Sequence, residues 1–271
     1  MTTLNNRTLF ITGASRGIGK AIALRAARDG ANIVVASKTD KPHQKLPGTI
    51  HSAADEIIAA GGQALALRMD VRDEQSVTDA VSAAVERFGG IDILVNNASA
   101  INLTGTLDTP ARRFDLMFSV NVRGTFITSQ ACLPHLLQSE HAHILNLAPP
   151  LNLDPRWFRD HVAYTMAKYG MSMCVLGMAA EFEGKVRVNA LWPRTVIATA
   201  ALKMIPGIDP DTCRKPDIMA DAAHYVLTRT DPNYSGHFLI DENVLRAAGV
   251  TDFDRYAVSP GTQLAPDLFL D

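Results

Sequence analysis

Short runs of continuously apolar, often β-branched residues recur along the chain and alternate with longer segments of helical spacing. Apolar runs of about five or six residues are typical of buried parallel strands. They predict strands at 8–12, 32–36, 64–69, 91–95, 143–147, 186–191 and 237–240. The segments between them predict helices at 18–28, 74–88, 112–137, 163–183 and 217–228. This alternation indicates an α/β fold: a doubly wound, parallel, seven-stranded sheet with helices on both faces and right-handed crossovers.

Two stretches interrupt the alternation of strands and helices. Segment 38–50 (KTDKPHQKLPGTI) is rich in turn-forming residues and predicts an insertion after the second strand. Segment 242–271 continues beyond the last strand and carries apolar residues of its own, including Phe253, Tyr256 and 268–270. No stretch is rich enough in Gly, Ser or Pro to separate two domains. We therefore expect 1–271 to form a single domain, with 242–271 packed against it as a C-terminal extension.

The charge balance and composition exclude several classes of protein. Lys and Arg number 26 and Asp and Glu 28, a net charge of −2, which leaves no basic surplus for nucleic-acid binding. Apolar residues make up 47%, too many for a disordered chain. Three cysteines are too few for a disulfide framework, no apolar run approaches the roughly 18 residues of a membrane helix, and the N-terminus lacks a secretory pattern. We therefore expect a cytoplasmic protein. We also expect no metal site, because His141 and His143 have no third ligand.

A glycine-rich segment, TGASRGIG at 12–19, follows the first predicted strand and opens the first helix. Glycines let the backbone approach a pyrophosphate and a helix N-terminus supplies N–H donors, so this segment predicts dinucleotide binding. An acid at the end of the second strand typically holds the 2′-hydroxyl of NAD, but VVASK at 34–38 has none. Arg16 and Lys38 would instead hold a 2′-phosphate, unless both are solvated surface charges. The sequence thus favours NADP(H) over NAD(H).

Tyr164 and Lys168 are four positions apart in a predicted helix. That spacing places both side chains on one face, with Cβ atoms about 5–6 Å apart. A neighbouring ammonium favours the tyrosinate and would lower the pKa of the phenol toward working pH. Such a tyrosine gives a proton to a carbonyl oxygen, or takes one from an alcohol, while a hydride moves to or from a nicotinamide. The pair therefore predicts an oxidoreductase.

The order of these motifs resembles that of the short-chain dehydrogenase/reductase family, whose members have a Rossmann fold. The matching pieces span most of residues 7–241 and are TGASRGIG, Asp70-Val71, Asn96-Asn97-Ala98, Asn121 and Tyr164-x-x-x-Lys168. A closer similarity to a hydroxysteroid dehydrogenase-like subgroup is carried by HILNLAPPLNLDPRWF, AYTMAKYGMSM, VNALWPRT and DFDRYAVSPG. Eukaryotic members of that subgroup carry a sterol-carrier module after this domain. We do not expect that module here, because the chain ends at Asp271.

The resemblance implies roles for individual residues. Tyr164, Lys168 and Asn121 would be catalytic, with Lys168 also holding the nicotinamide ribose and Asn121 holding a helix distortion and a water. Asp70 would contact the adenine, while the backbone of Val196 and the side chain of Thr199 would contact the carboxamide. The implied cofactor-binding set is Gly13, Ser15, Arg16, Gly17, Ile18, Gly19, Lys38, Asp70, Val71, Asn97, Ala98, Ser99, Tyr164, Lys168, Pro193, Val196 and Thr199. A homodimer or homotetramer, formed through the helix of Tyr164, is implied as well.

The chain departs from the family pattern at several positions. Ala148 and Pro149 stand where serines are expected, and neither side chain donates a hydrogen bond. Asn146, Asn152 or a backbone N–H would take over that role, or carbonyl reduction is slow. Ser99 replaces a glycine, and Arg194 follows Pro193 where a glycine is usual, so that it reaches an acidic substrate group or faces solvent. Trp157 and Phe158 line an apolar substrate pocket or anchor their loop.

Three functions remain open at this point. The first is an NADP(H)-dependent oxidoreductase acting on a carbonyl or secondary alcohol of a small apolar substrate, with Tyr164 as acid and base beside Lys168. The second is an enoyl reductase acting on an activated C=C bond on the same fold, which the missing serine favours. The third is a sensor or scaffold that binds NADP(H) without turnover, although such a protein has no need for the Tyr164–Lys168 pair. The loops 151–161 and 200–216 would shape the substrate pocket.

Overall fold

A seven-stranded parallel sheet forms the centre of the molecule in the computed structural model, which describes residues 3–42, 47–204 and 207–270. The strands in chain order are β1 (Thr8–Thr12), β2 (Asn32–Ser37), β3 (Gln63–Arg68), β4 (Ile93–Asn96), β5 (His143–Asn146), β6 (Arg187–Trp192) and β7 (Phe238–Ile240). All seven lie within a residue or two of their predicted positions. The predicted fold class is confirmed.

The spatial order of the strands is β3-β2-β1-β4-β5-β6-β7. From β1, the chain adds β2 and β3 on one side of the sheet. It then crosses to the other side of β1, where β4 to β7 follow in order. The carboxyl ends of neighbouring strands are aligned, with Thr12 beside Ala36 and Asn96 beside Asn146. In such a sheet the reversal of strand order, here between β1 and β4, opens a crevice at the carboxyl ends that serves as a binding site.

Helices cover both faces of the sheet. They are α1 (Gly17–Ala27), α2 (Ile50–Ala59), α3 (Glu74–Phe88), α4 (Ala111–Met117), α5 (Gly124–Leu136), α6 (Val162–Glu181), α7 (Asp217–Leu227) and α8 (Asp241–Ala247). Leu9 and Ile11 of β1 pack in the cluster that contains α1, α2, α7 and α8, whereas Phe10 packs on the opposite side with α3, α5 and α6. Alternate strand residues are thus buried on both faces, which explains the continuously apolar strand sequences. Within the described ranges, no helix is both long and apolar enough to span a bilayer.

The helices differ from the prediction in three places. The single helix expected at 112–137 is wrong: a π-helix, Phe118–Arg123, separates α4 from α5. Helix α2 was not predicted, although Thr49 caps its N-terminus by accepting a hydrogen bond from the backbone N–H of Ser52 at 3.1 Å. Helix α8 occupies the start of the expected C-terminal extension. Residues 43–46 of the predicted insertion and the last residue of the predicted extension lie outside the described residues.

The C-terminal segment 264–270, called the tail below, is hydrogen-bonded to the chain that follows β6. The N–H of Val196 donates to the carbonyl of Ala265 at 3.0 Å, and the N–H of Asp267 donates to the carbonyl of Arg194 at 3.1 Å. The ring of Phe269 is 1% exposed, although its backbone has a φ of +72°, which is unfavourable for a residue with a side chain. The tail is therefore held in one place beside the carboxyl end of the sheet.

Candidate active site

One cavity of about 570 Å³ extends from the glycine-rich turn after β1 to the Tyr164 face of α6. Its size suits a small-molecule or cofactor site. The structure brings the predicted cofactor-binding residues together along its wall, with the exception of Gly19. Those that border it are Gly13, Ser15, Arg16, Gly17, Ile18, Lys38, Asp70, Val71, Asn97, Ala98, Ser99, Tyr164, Lys168, Pro193, Val196 and Thr199.

The glycine turn is held by hydrogen bonds from the end of β4. The hydroxyl of Thr12 accepts from the N–H groups of Asn97 and Ala98 at 3.0 and 2.9 Å, and the Asn97 amide donates to the Thr12 carbonyl at 2.8 Å. A Cβ on Gly19 would lie 2.5 Å from that amide, so Gly19 permits this close contact instead of lining the cavity. Thr12 was missed as a site residue, although its place directly before Gly13 was a usable signal.

Two cations lie near the end of β2, where a 2′-phosphate was expected. Lys38 is exposed and borders the cavity. Arg16 also borders it, but its guanidinium donates to the carbonyls of Pro47 and Gly48 at 2.9 and 2.8 Å. Desolvation by burial lowers the pKa of Arg16. Arg16 thus joins the turn to the segment before α2, while Lys38 is the solvated one of the two.

Asp70, after β3, also borders the cavity. Its carboxylate accepts two hydrogen bonds from the Nε of Arg72, at 2.9 and 3.1 Å. This contact with Arg72 lowers the pKa of Asp70. Asp70 is therefore a charged hydrogen-bond acceptor at this wall.

Tyr164 and Lys168 lie on one face of α6, as the spacing predicts, and both are buried at the cavity wall. The ammonium of Lys168 donates to the Leu147 carbonyl at 2.6 Å and lies 4.8 Å from the centroid of the Trp192 ring. Burial lowers the pKa of Lys168 to about 7. The pKa expected for Tyr164 was wrong in direction, because burial, and secondly the charge of Asp267, raise it above that of a free phenol. Tyr164 therefore holds its proton in the free protein.

Asn121 is fully buried inside the π-helix and does not itself border the cavity that the described residues form. Its side-chain carbonyl accepts from the N–H of Ala100 at 2.7 Å, and its amide donates to the Ala100 carbonyl at 3.0 Å. Ala100 in turn borders the cavity. Asn121 thus fixes a segment of the wall, and the helix distortion expected around it is present.

The residues considered as substitutes for a serine lie elsewhere. The amide of Asn146 donates to the Met171 carbonyl at 3.3 Å, and its side-chain oxygen accepts from Asn96 at 2.9 Å. Neither Asn146 nor Asn152 belongs to the cavity wall formed by the described residues. Ala148 is buried, and it too lies outside that wall.

Hydrogen bonds and ring contacts place three further residues. Arg194 lies outside the cavity wall formed by the described residues, and its guanidinium donates to the side chain of Asn243 at 2.9 Å in a solvent-exposed hydrogen bond. The backbone of Val196, which was expected to contact the carboxamide, already donates its N–H to Ala265 and accepts the N–H of Arg214 at its carbonyl. Trp157 anchors the tail, with its ring centroid 6.0 Å from that of Phe269.

Sequence reasoning missed the walls that lie farthest from the glycine turn. They are formed largely by apolar side chains and include Ile101, Leu103, Leu116, Trp192, Asp267 and Leu268. The apolar run 268–270 was noticed, but nothing in the sequence placed it beside Tyr164. Among the described residues, no group of three His, Cys, Asp or Glu side chains is arranged to hold a metal ion.

Residues 7–206 match the family model described as short chain dehydrogenase. The chain therefore belongs to the short-chain dehydrogenase family, as its motifs indicated. Among curated proteins, it is 64% identical over 265 residues to hydroxysteroid dehydrogenase-like protein 2 of Danio rerio and 62% identical over 266 residues to that of Homo sapiens. These alignments cover 97% of this chain but only 64% and 63% of the two relatives. The predicted resemblance to this subgroup is confirmed.

Solved structures agree with this assignment. A proposed dehydrogenase from Xanthomonas campestris is 63% identical, with a TM-score of 0.98 and 99% coverage of both chains. A 7α-hydroxysteroid dehydrogenase complexed with NADH and 7-oxo glycochenodeoxycholic acid is 29% identical, with a TM-score of 0.76 and coverage of 88% of this chain and 94% of that one. A metagenomic short-chain oxidoreductase in complex with NADP is 26% identical, with a TM-score of 0.72, covering 88% of this chain and 97% of its own. Relatives of this fold thus occur with either coenzyme.

Proposed function

We propose that the protein is an NADP(H)-dependent oxidoreductase that transfers a hydride between the nicotinamide and a carbonyl or secondary alcohol of a small apolar substrate. The observation that carries this proposal is the position of Tyr164 and Lys168 on one wall of a cavity whose other end is the glycine turn. A proton-bearing phenol, a buried ammonium and a dinucleotide cradle in one cavity are what this reaction requires.

The residues of the cradle fit a dinucleotide. Gly13 and Gly17 have φ angles of +68° and +60°, which glycine adopts without strain, and the turn leads directly into the N-terminus of α1. Backbone N–H groups and the helix dipole at this point suit a pyrophosphate. The coenzyme supplies the hydride in reduction and accepts it in oxidation. Lys38 and the absence of an acid at 36–39 support the choice of NADP(H).

Tyr164 handles the proton in this mechanism. In reduction its hydroxyl donates a proton to the substrate oxygen as the hydride reaches the carbon, and in oxidation the tyrosinate takes the proton back. The ammonium of Lys168 stabilises the transient tyrosinate, which burial otherwise disfavours. Asn121 holds the wall at Ala100, and so acts on the position of bound molecules without touching them.

The substrate is proposed to be apolar because of the walls around the Tyr164 end. Ile101, Leu103, Leu116, Trp192 and Leu268 face the cavity there. A surface of this kind binds hydrophobic molecules by removing apolar area from water. The similarity to hydroxysteroid dehydrogenase-like proteins supports a steroid-like or fatty-chain ketone or alcohol.

Replacement of Tyr164 tests the proposal. A screen of NADPH oxidation against apolar ketones, with an enoyl thioester in the same panel, identifies the reaction.

We expect Tyr164→Phe to lower kcat for the best ketone by about 10²–10⁴, the usual contribution of a positioned acid. The dissociation constant for NADPH, measured by coenzyme fluorescence, should stay within about threefold, since the phenyl ring remains. Tyr225→Phe on α7, outside the cavity wall of the described residues, is the matched control. Full turnover by Tyr164→Phe would contradict the mechanism, and a response to the thioester alone would favour C=C reduction.

We also propose that two copies associate through α5 and α6, as a homodimer or as part of a homotetramer. These neighbouring helices expose the apolar side chains of Phe126, Met166, Met173 and Leu176. Met166, Met173 and Leu176 share one face of α6, because they are separated by seven and three positions. Exposed apolar side chains gathered on one face are a feature of association surfaces.

A further inference from the structure

We propose that Asp267, which the tail brings to the cavity, donates the second hydrogen bond to the substrate oxygen beside Tyr164. This inference rests on the proposed function and assigns a catalytic residue to it. Three features support it: the position of the carboxyl group, the lack of a donor side chain directly after β5, and the surroundings of the carboxyl.

The carboxyl of Asp267 is held at the reaction site by a rigid backbone. Asp267 borders the same cavity as Tyr164 and Lys168, and its charge interacts with both. The preceding Pro266 forms a β-bridge with Thr195, and the indole N–H of Trp192 donates to the Leu268 carbonyl at 2.9 Å. The Asp267 backbone is thus fixed on both sides, so its side chain belongs to a built site.

One oxygen of the carboxyl remains for a ligand. The Oδ1 atom accepts a hydrogen bond from the N–H of Leu268 at 2.7 Å. No other hydrogen bond to this side chain is formed by the described residues, although the side chain lies at the cavity wall. The Oδ2 atom is therefore available to a molecule bound beside Tyr164.

The segment after β5 provides no donor side chain for the substrate oxygen. Negative charge that develops on a carbonyl oxygen is stabilised by hydrogen-bond donors placed around it. The residues after β5, Leu147, Ala148 and Pro149, have no donor side chains. The amide of Asn146 is directed to Met171. Asp267 is a polar side chain on the same cavity wall as Tyr164 and Lys168, and it interacts electrostatically with both.

The surroundings of Asp267 favour its neutral acid form. The titratable groups that act on it are Lys168 of α6 and Asp241 at the start of α8, and its charge in turn acts on Tyr164 of α6 and on Cys213. Burial raises the pKa of Asp267 to about 7, helped by Asp241 and opposed by Lys168. Burial therefore favours the protonated carboxyl, which donates from Oδ2, as buried carboxylic acids do in other enzymes.

The hydrogen bond does not alter the balance of the reaction. The hydride, with its electron pair, passes from the reduced coenzyme to the carbonyl carbon, so the coenzyme is oxidised and the carbonyl is reduced. The proton that completes the alcohol comes from Tyr164. Asp267 keeps its own proton and stabilises the charge that appears on the oxygen before the Tyr164 proton arrives.

Two substitutions of Asp267 distinguish a hydrogen-bond donor at this position from a negative charge. Asp267→Asn keeps the shape and an N–H donor, while Asp267→Leu keeps the size and removes both. For the apolar ketone selected by the screen, we expect Asp267→Leu to lower kcat by about 10²–10³, as loss of one such donor does elsewhere. Asp267→Asn should stay within about tenfold of wild type. The dissociation constant for NADPH without substrate should be unchanged in both, which also shows that they fold.

An infrared titration of the coenzyme-free protein gives an answer that does not depend on turnover. The difference between wild type and Asp267→Asn at pH 6 should contain the carbonyl band of a protonated carboxylic acid, and that band should vanish at alkaline pH. Its absence would overturn the proposal. Equal loss of kcat in Asp267→Asn and Asp267→Leu would also overturn it. Both variants lack the negative charge but only Asp267→Leu lacks a donor, so the charge would then be the group that acts. Failure of the proposed function is recognised separately, by full turnover in Tyr164→Phe.

Discussion

Lys38 lies just beyond β2, exposed to solvent and facing the same cavity as the glycine turn. An exposed ammonium recognises a phosphate as a point charge, and its contribution is screened by salt. The guanidinium of Arg16 is already occupied by the carbonyls of Pro47 and Gly48. At this end of the cavity we therefore assign the larger part of the proposed preference for NADP(H) to Lys38.

We predict that Lys38→Ala weakens NADPH binding about tenfold, the loss of one charge-assisted hydrogen bond. NADH binding should stay within about twofold, because NADH lacks the phosphate. Titrations of both coenzymes by fluorescence at low and high salt measure the effect, which should shrink as salt rises. Lys41→Ala, also in segment 38–50 but outside the described cavity wall, is the control. An equal loss for NADH would contradict a role in reading the 2′-phosphate.

At the scale of single residues, the sequence predicts what depends on local spacing. Tyr164 and Lys168 share a face because a helix places positions i and i+4 together. The contact of Arg194 was not predictable, because its partner Asn243 lies in α8, far away along the chain. The pKa of Tyr164 was predicted in the wrong direction, because burial, the larger influence on it, is set by the folded surroundings.

At the scale of elements, the tail depends on one aromatic side chain. Phe269 lies among the rings of Trp157, His161, Tyr164, Tyr169 and Trp192, with centroid distances from 5.3 to 6.2 Å. Aromatic contacts of this kind add to the free energy gained by burying the ring. The ring therefore links the tail to α6 and to the end of β6.

We predict that Phe269→Ala lowers the free energy of unfolding by about 3–5 kcal/mol, the usual cost of removing a buried phenylalanine ring. Chemical denaturation followed by circular dichroism measures the loss. Phe253→Ala is the control, because it removes the same group from a partly exposed site in the C-terminal region. A smaller loss in Phe269→Ala than in Phe253→Ala would show that the ring does not stabilise the tail.

The strands were the most predictable elements and the helix boundaries the least. Burial on both sheet faces makes a parallel strand continuously apolar, and that pattern survives without knowledge of the fold. The break between α4 and α5 follows from the hydrogen bonds of Asn121 to Ala100, a contact between distant segments that periodicity cannot reveal. Helix α2 was missed because the turn-rich segment 38–50 runs into its first residue, and so hid its cap.

At the scale of the whole molecule, α5 and α6 cover the same face of the sheet as α3, whereas α2 covers the opposite face. Met173 on α6 is 61% exposed and Ile58 on α2 is 57% exposed. The two are similar in exposure, but only Met173 lies within the surface that we propose to form the dimer.

We predict that Met173→Glu converts the dimer to a monomer, because a charge buried at an interface without a partner is costly. Ile58→Glu should leave the dimer intact. Light scattering coupled to size-exclusion chromatography measures the mass of each variant over a range of concentrations. A monomeric wild-type protein, or an unchanged mass in Met173→Glu, would exclude this surface as the interface.

The fold class and the position of the cavity were predictable, because strand order and motif order together fix the carboxyl edge of the sheet. The wall opposite the glycine turn was not. Leu268 and Asp267 come from the far end of the chain, and contacts between distant segments, such as those of the tail with Thr195 and Trp192, bring them to the site.

The indole of Trp192 gives the protein a built-in optical probe. It lies 4.8 Å from the ammonium of Lys168, and the chain contains only one other tryptophan. In a Trp157→Phe background, all indole emission would come from a single fluorophore next to the reacting groups. Light from that fluorophore would then report coenzyme arrival and the titration of Lys168 directly, in real time and without any label.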